Sequence, residues 1–223
     1  MSHALHDAAN GTLFGIALNY NGLLKQRLAE FEQPPYKQAP LKPVLFIKTP
    51  NTRNAHGANV IHPAGERLQP GPALGVVIGK DASRVSAADA MAHVAGYTIV
   101  NEYSLPEDSY YRPAVKAKCR DGFCAIGPEL VPVSAIEDPH QLTVKLYVNG
   151  AVVQENSTAN LVRGIPQLIA ELSEFMTLHA GDVLITGTPE GRVDVNPGDQ
   201  VEVEITGLGR LANTIVAESG EQE

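Results

Sequence analysis

Short apolar runs, broken by glycine, proline and asparagine, set the rhythm of this chain. Thr12 to Leu18 is apolar up to the turn signal Asn19-Tyr20-Asn21-Gly22 and predicts a strand. Leu23 to Phe31 carries apolar residues at 23, 24, 28 and 31, a helical stripe. Gln33 to Pro43 holds four prolines and must be loop. Pro43 to Pro50 and Ala73 to Lys80 read as buried strands, and Val94 to Val100 as another leading into Asn101-Glu102-Tyr103. Between the last two, Ser86 to His93 predicts a short helix with Ser86 and Asp89 spaced as a capping box. Gln141 to Val148 and Ala151 to Gln154 flank Asn149-Gly150, the pair that most strongly favours a tight hairpin. Leu161 to Leu178 has apolar residues at 161, 165, 168, 169, 172, 175, 176 and 178 and predicts the longest helix, with Asn160 as its cap. A final hairpin is expected through Val201 to Ile205 and Arg210 to Val216. Strands outnumber helices and no linker or repeat divides the chain, so the expectation is a single β-rich α+β domain over 11–223 behind a flexible leader at 1–10.

One stretch breaks the rhythm. Four of the 17 Lys and Arg residues fall within nine positions, at Arg112, Lys116, Lys118 and Arg120. Val115 to Cys119 partly alternates apolar with polar, which predicts a strand bearing Lys116 and Lys118 on one face. Like charges about 7 Å apart repel unless an anion lies between them. Two readings stay open: a strand lining an anion pocket, or a solvated edge strand protected by its lysines. Just ahead, Glu102, Glu107 and Asp108 form an acidic group, either solvated or able to hold a divalent cation or transfer a proton. Thr186-Gly187-Thr188-Pro189-Glu190-Gly191 follows a strand, as both an anion-cradling loop and an ordinary strand-ending turn do.

Composition narrows the partners. The 223 residues are 43% hydrophobic and 19% charged, those of a protein with a sizeable core. A net charge of −8 and a pI near 5.4 argue against nucleic acid or an anionic membrane as partner. No apolar run approaches the roughly 20 residues that span a bilayer, and the N-terminus lacks the basic and apolar regions of a signal peptide, so a cytoplasmic location is expected. Cys119 and Cys124 are read as reduced thiols. No Walker loop, dinucleotide fingerprint or Gly-x-Ser-x-Gly elbow is present.

The order of the motifs carries a resemblance. Asn19-Tyr20, Phe46-Ile47-Lys48-Thr49-Pro50, Gly75 to Lys80, Val94 to Thr98, Lys118 to Gly127, and Leu184 to Gly191 together resemble the fumarylacetoacetate hydrolase family, from about Leu13 to Val216. The resemblance implies a mixed β-roll with few helices, associating as a homo-oligomer or as a heteromer with a second, metal-bearing subunit of the C-terminal type. It implies a small 2-oxo dicarboxylic or tricarboxylic acid as substrate, with decarboxylation or isomerisation through a stabilised enolate. Related subunits use Mg²⁺ or Mn²⁺ held by three carboxylates. The matching positions here are Gly71, Ala73 and Glu102, so no metal or other cofactor is expected for this chain. The lid His and Glu of the family are matched by Leu23 and Gln26. By resemblance, Lys118 and Glu102 are then the catalytic candidates. Lys48, Arg112, Lys116, Arg120, Gly187 and Thr188 are the substrate-binding candidates.

Overall fold

The computed structural model describes residues 3–107 and 109–218. Along the chain lie α1 (His3–Ala8), β1 (Leu13–Ala17), α2 (Asn21–Phe31), β2 (Val44–Lys48), β3 (Arg53–Ala55), β4 (Asn59–His62), β5 (Pro72–Ile78) and β6 (Val94–Glu102). They are followed by α3 (Val115–Lys118), β7 (Cys124–Pro132), β8 (Thr143–Val148), β9 (Ala151–Ser157), α4 (Ile165–Ser173), β10 (Val183–Ile185), β11 (Gln200–Ile205) and β12 (Gly209–Ala217). Two mixed sheets result, a seven-stranded one in the order β2-β1-β10-β5-β6-β7-β3 and a five-stranded one in the order β4-β12-β11-β8-β9. Parallel pairing is confined to β1 with β10, β3 with β7, and β4 with β12.

Strand β5 shows how the layers are built. It is buried along its whole length, and its side chains alternate between two clusters as a pleated strand requires. Leu74, Val76 and Ile78 enter the main core, where Val144, Leu146, Val201, Val203 and Leu211 of the five-stranded sheet meet them. Ala73 and Val77 face the other way, against Leu5, Ala9, Leu13, Val183 and Ile185. That second face needs a cover, and α1 supplies it. The flexible leader expected over residues 1–10 is therefore not what residues 3–10 form: Leu5 and Ala9 are buried, and Arg53 Nη1 donates to the Ala9 carbonyl at 2.7 Å. Six residues are too few to display a helical period, which is why the sequence concealed this element.

The seven-stranded sheet curls, as the mixed β-roll expectation requires. Lys48 ends β2 and Glu102 ends β6, four places away in the sheet. At about 4.8 Å per strand a flat sheet would hold them roughly 19 Å apart. Their side chains instead meet at 2.7 Å.

The Asn149-Gly150 hairpin forms as expected, both residues at positive φ between β8 and β9. The long helix does not. It spans only Ile165–Ser173, capped by Gly164 rather than Asn160. Pro166 is tolerated only in a first turn, so it fixes the start there, while Leu161 is extended and bridges Tyr20. The strand expected at Val115–Cys119 is instead the four-residue helix α3. Ser86 and Asp89 do exchange capping contacts, at 2.7 and 3.2 Å, but lead only into a 3₁₀ turn at Ala90–His93.

Candidate active site

A buried carboxylate lies at the centre of the roll. Glu102 is 1% exposed, and three cations converge on it. Lys48 Nζ lies 2.7 Å from Oε1, while Lys118 Nζ and Arg192 Nη2 lie 3.1 and 2.5 Å from Oε2. Burial pushes this carboxyl up, but Lys118, Lys48 and Arg192 together overcome that and hold it at about 2. It is therefore ionised at neutral pH and ill matched to the proton-shuttling role expected of it, which calls for a pKa nearer the working pH.

The three cations divide their work. Lys48 is fully buried and also donates to the carbonyls of Tyr103, Lys118 and Phe123, at 2.6, 2.7 and 3.0 Å. An ammonium has three donors, and these contacts account for them. Lys48 thus ties the end of β2 to the chain around Glu102, with its ammonium turned to these carbonyls rather than to the open space where a substrate-binding role was expected. Burial pushes its pKa down, with Glu102 opposing. Lys118, by contrast, lines open space. Its Nζ sits 2.9 Å from Glu107 Oε2, 3.4 Å from Ser104 Oγ and 4.4 Å from the centroid of the Phe46 ring.

The helical turn of α3 separates the basic residues that a strand would have aligned. Lys118 points inward. Lys116 is 81% exposed and pairs at 3.2 Å with Glu66, which Arg120 also meets at 3.4 Å. Lys118 and Arg112 line the cavity beside β2, while Lys116 and Arg120 do not and are ion-pair partners of Glu66. That cavity, of about 520 Å³, runs between β2 and residues 107–119, walled by Val44, Phe46, Ile47, Tyr110 and Val115, with Arg112 and Lys118 as its cations.

A smaller space of about 30 Å³ adjoins it, sharing Phe46, Glu107, Tyr110 and Lys118 and adding Leu23, Glu102, Gly187, Thr188 and Arg192. A third, of about 260 Å³, lies beyond under α2, against Leu23, Gln26, Arg27, Glu107 and Arg192. Gly187 and Thr188 stand in the wall of the smaller space. Gly187 has φ +118, and a Cβ there would come within 3.0 Å of the Ile16 carbonyl, so only glycine fits. The Asn19 side chain donates to the carbonyls of Thr186 and Arg163 at 2.8 and 3.1 Å, pinning the corner after β1 against this loop.

Two residues of the site were missing from the sequence candidates. Glu107 borders all three spaces and was read only as part of an acidic group; Asp108 of that group lies outside the described residues. Arg192 was not singled out. A lone arginine after a glycine-rich loop carries no periodic signal, and only the missing carboxylates at 71 and 73 hinted that another charge would be needed.

Comparison with known proteins agrees with this architecture. Residues 12–216 match the model of the fumarylacetoacetate (FAA) hydrolase C-terminal family, and the chain belongs to that family. It is 44% identical over 208 residues to the 4-hydroxyphenylacetate degradation bifunctional isomerase/decarboxylase of Salmonella dublin, covering 93% of this chain and 48% of that one. The chain spans about half the length of this and two further curated relatives. Among solved structures, 2-hydroxyhepta-2,4-diene-1,7-dioate isomerase from Mycobacterium marinum superposes with a TM-score of 0.79 at 30% identity, covering 93% of this chain and 75% of that one. Maleylpyruvate hydrolase from Sphingobium sp. SYK-6, in complex with manganese(II) and pyruvate, gives a TM-score of 0.78 at 28% identity, over 95% and 72% of the two chains.

The family therefore implies a divalent ion, and the residues here do not fit one. Among the described residues no three His, Cys, Asp or Glu side chains converge to hold a metal. Gly71 and Ala73 offer no side-chain oxygen, and the lone Glu102 is already surrounded by three positive charges that repel a dication. No helix among the described residues is long and apolar enough to cross a membrane.

Proposed function

We propose that this chain is one unit of an isomerase/decarboxylase of aromatic catabolism, in the degradation of 4-hydroxyphenylacetate. Its substrates are 2-hydroxyhepta-2,4-diene-1,7-dioate and 5-oxopent-3-ene-1,2,5-tricarboxylate. The observation that supports this most is the ammonium of Lys118, held between Glu102 and Glu107 where the apolar cavity narrows. Both reactions pass through an enolate at the 2-oxo group, and a preorganised cation beside that oxygen lowers the barrier. Glu102, ionised, holds the Lys118 side chain aimed at this narrowing. Glu107, 15% exposed and bordering all three spaces, is the carboxylate placed to move a proton between the 2-hydroxyl oxygen and the diene carbon. The apolar walls suit the diene, and Arg112 suits the distal carboxylate.

The test is turnover of the dienedioate by the purified chain in EDTA, followed by loss of diene absorbance. Wild type is expected to turn over, Lys118→Met and Glu107→Gln to lose about 100-fold or more in kcat. A second reading is that the unit supports a metal-bearing partner without turning over alone; the absence of carboxylates at 71 and 73 favours it. No turnover by wild type in EDTA, restored only by partner and metal, establishes that reading instead.

A further inference from the structure

Arg192 borders the two inner spaces of the site but played no part in the chemistry above. Its guanidinium approaches Glu102 along one edge, Nη2 at 2.5 Å from Oε2 and Nη1 at 3.4 Å from the backbone carbonyl. The arrangement leaves no room for a side chain at position 71. A Cβ built on Gly71 would stand 2.8 Å from Arg192 Nη2, 2.9 Å from Thr188 Oγ1 and 2.4 Å from the Glu102 carbonyl oxygen. A side chain at 71 would therefore meet the Glu102 backbone as well as the guanidinium and the Thr188 hydroxyl, and glycine fits this packing. Gly71 and Ala73 remove two of the three ligands of the metal-bearing pattern, and the volume beside the third, Glu102, is filled by the guanidinium of Arg192.

We propose that Arg192 is the site's resident cation for the 2-oxo acid head: its guanidinium receives the substrate's C1 carboxylate and the neighbouring 2-oxygen, at the place where relatives with carboxylates at these positions hold a divalent ion. This rests on reading the cavity as a 2-oxo acid site. A guanidinium is a rigid planar fork with five donors, suited to two oxygens on adjacent carbons. The two contacts with Glu102 leave donors for a ligand, and the side chain is 21% exposed, toward the inner spaces. Lys118 and Arg192 share Oε2 of Glu102, so both cations are held on one side of a single carboxylate. A charge fixed covalently needs no metal loading and is indifferent to chelators.

The experiment uses oxalate, a planar dianion that mimics an enolised 2-oxo acid and is not turned over. Calorimetric titration of the full chain in EDTA is expected to show stoichiometric oxalate binding, weakened at least 10-fold in Arg192→Met and less in Arg192→Lys, which keeps the charge but loses the fork. Manganese added to the EDTA-free protein is expected to stay free by electron paramagnetic resonance, with and without oxalate. Should Arg192→Met fail to fold, Arg192→Lys decides, since its charge still satisfies Glu102. Unchanged oxalate affinity in the folded variant, absent binding by wild type in EDTA, or oxalate binding that requires manganese would each overturn the proposal. If oxalate binding depends on Arg192 but the dienedioate is not turned over, the anion site stands and only the catalytic reading falls.

Discussion

At the scale of single residues, the site depends on one buried carboxylate whose charge is balanced by cations with unequal duties. Removing Glu102 leaves Lys48 buried without its counter-charge and Lys118 with Glu107 alone, so Glu102→Gln is expected to cost about 3–5 kcal/mol of stability, measured by urea unfolding at pH 7. The pH dependence follows from the direction of the shift. The carboxyl is lowered from 4.5 to about 2, so its stabilising contribution is fully present above pH 4.5 and lost as pH falls through about 2. Wild-type unfolding midpoints should therefore drop across that window relative to Glu102→Gln; parallel loss in the two proteins would show that the node is not what stabilises Glu102. Lys48 and Lys118 should separate cleanly. Lys48→Met is expected to lower the unfolding midpoint with KM kept within about twofold, because its ammonium faces carbonyls rather than the cavity. Lys118→Met should lose turnover instead.

Secondary-structure elements explain which side chains reach the site and how much of this was readable in advance. Strands β1, β2, β5, β6, β11 and β12 and the β8–β9 hairpin followed from apolar runs and turn residues, because a strand with a buried face writes its period directly into the sequence. The short elements did not. Four residues from Val115 to Lys118 carry less than two helical turns, and alternation over so few positions fits a strand equally well. That misreading carried Lys116 into the site. The exposed Lys116 pair and the partly exposed Arg120 pair with Glu66 are worth little, so Lys116→Ala and Arg120→Ala are expected to change stability by no more than about 0.5 kcal/mol and to leave kcat/KM near wild type, in thermal melts and steady-state assays. Helix α1 was hidden for the same reason, yet its Leu5 packs in the cluster behind β5 and β10. Leu5→Ala should cost about 2–5 kcal/mol, a loss a flexible leader would not show. Long-range convergence was the least legible feature: nothing local to Lys48 or Arg192 announces that the fold will bring both within 3 Å of the Glu102 carboxylate.

Taken as a whole, the molecule is a roll whose open side carries the site and whose charge favours one class of anion. Lys48, Lys118 and Arg192 face Glu102 and Glu107, leaving the node with one net positive charge. Arg112 adds another at the outer cavity. That total matches a dicarboxylate such as the dienedioate more closely than a tricarboxylate, whose third charge would lie near Glu107 or in the apolar cavity. A divalent ion, such as the manganese(II) of the Sphingobium relative, concentrates more charge at one point than a guanidinium does. The Salmonella dublin relative is about twice the length of the matched region, so its remaining half is the natural source of a second unit. The expected division is isomerisation by this chain alone and decarboxylation of the tricarboxylate only after a metal-loaded second unit is added. Carbon dioxide release should be measured for the chain, for the second unit and for their mixture, each with EDTA or manganese, alongside light scattering to detect a heteromer. Full decarboxylation by this chain in EDTA would place both steps here and make the second unit dispensable. Activity confined to the mixture with manganese, and absent with EDTA, would show that the tricarboxylate requires the metal-loaded second unit.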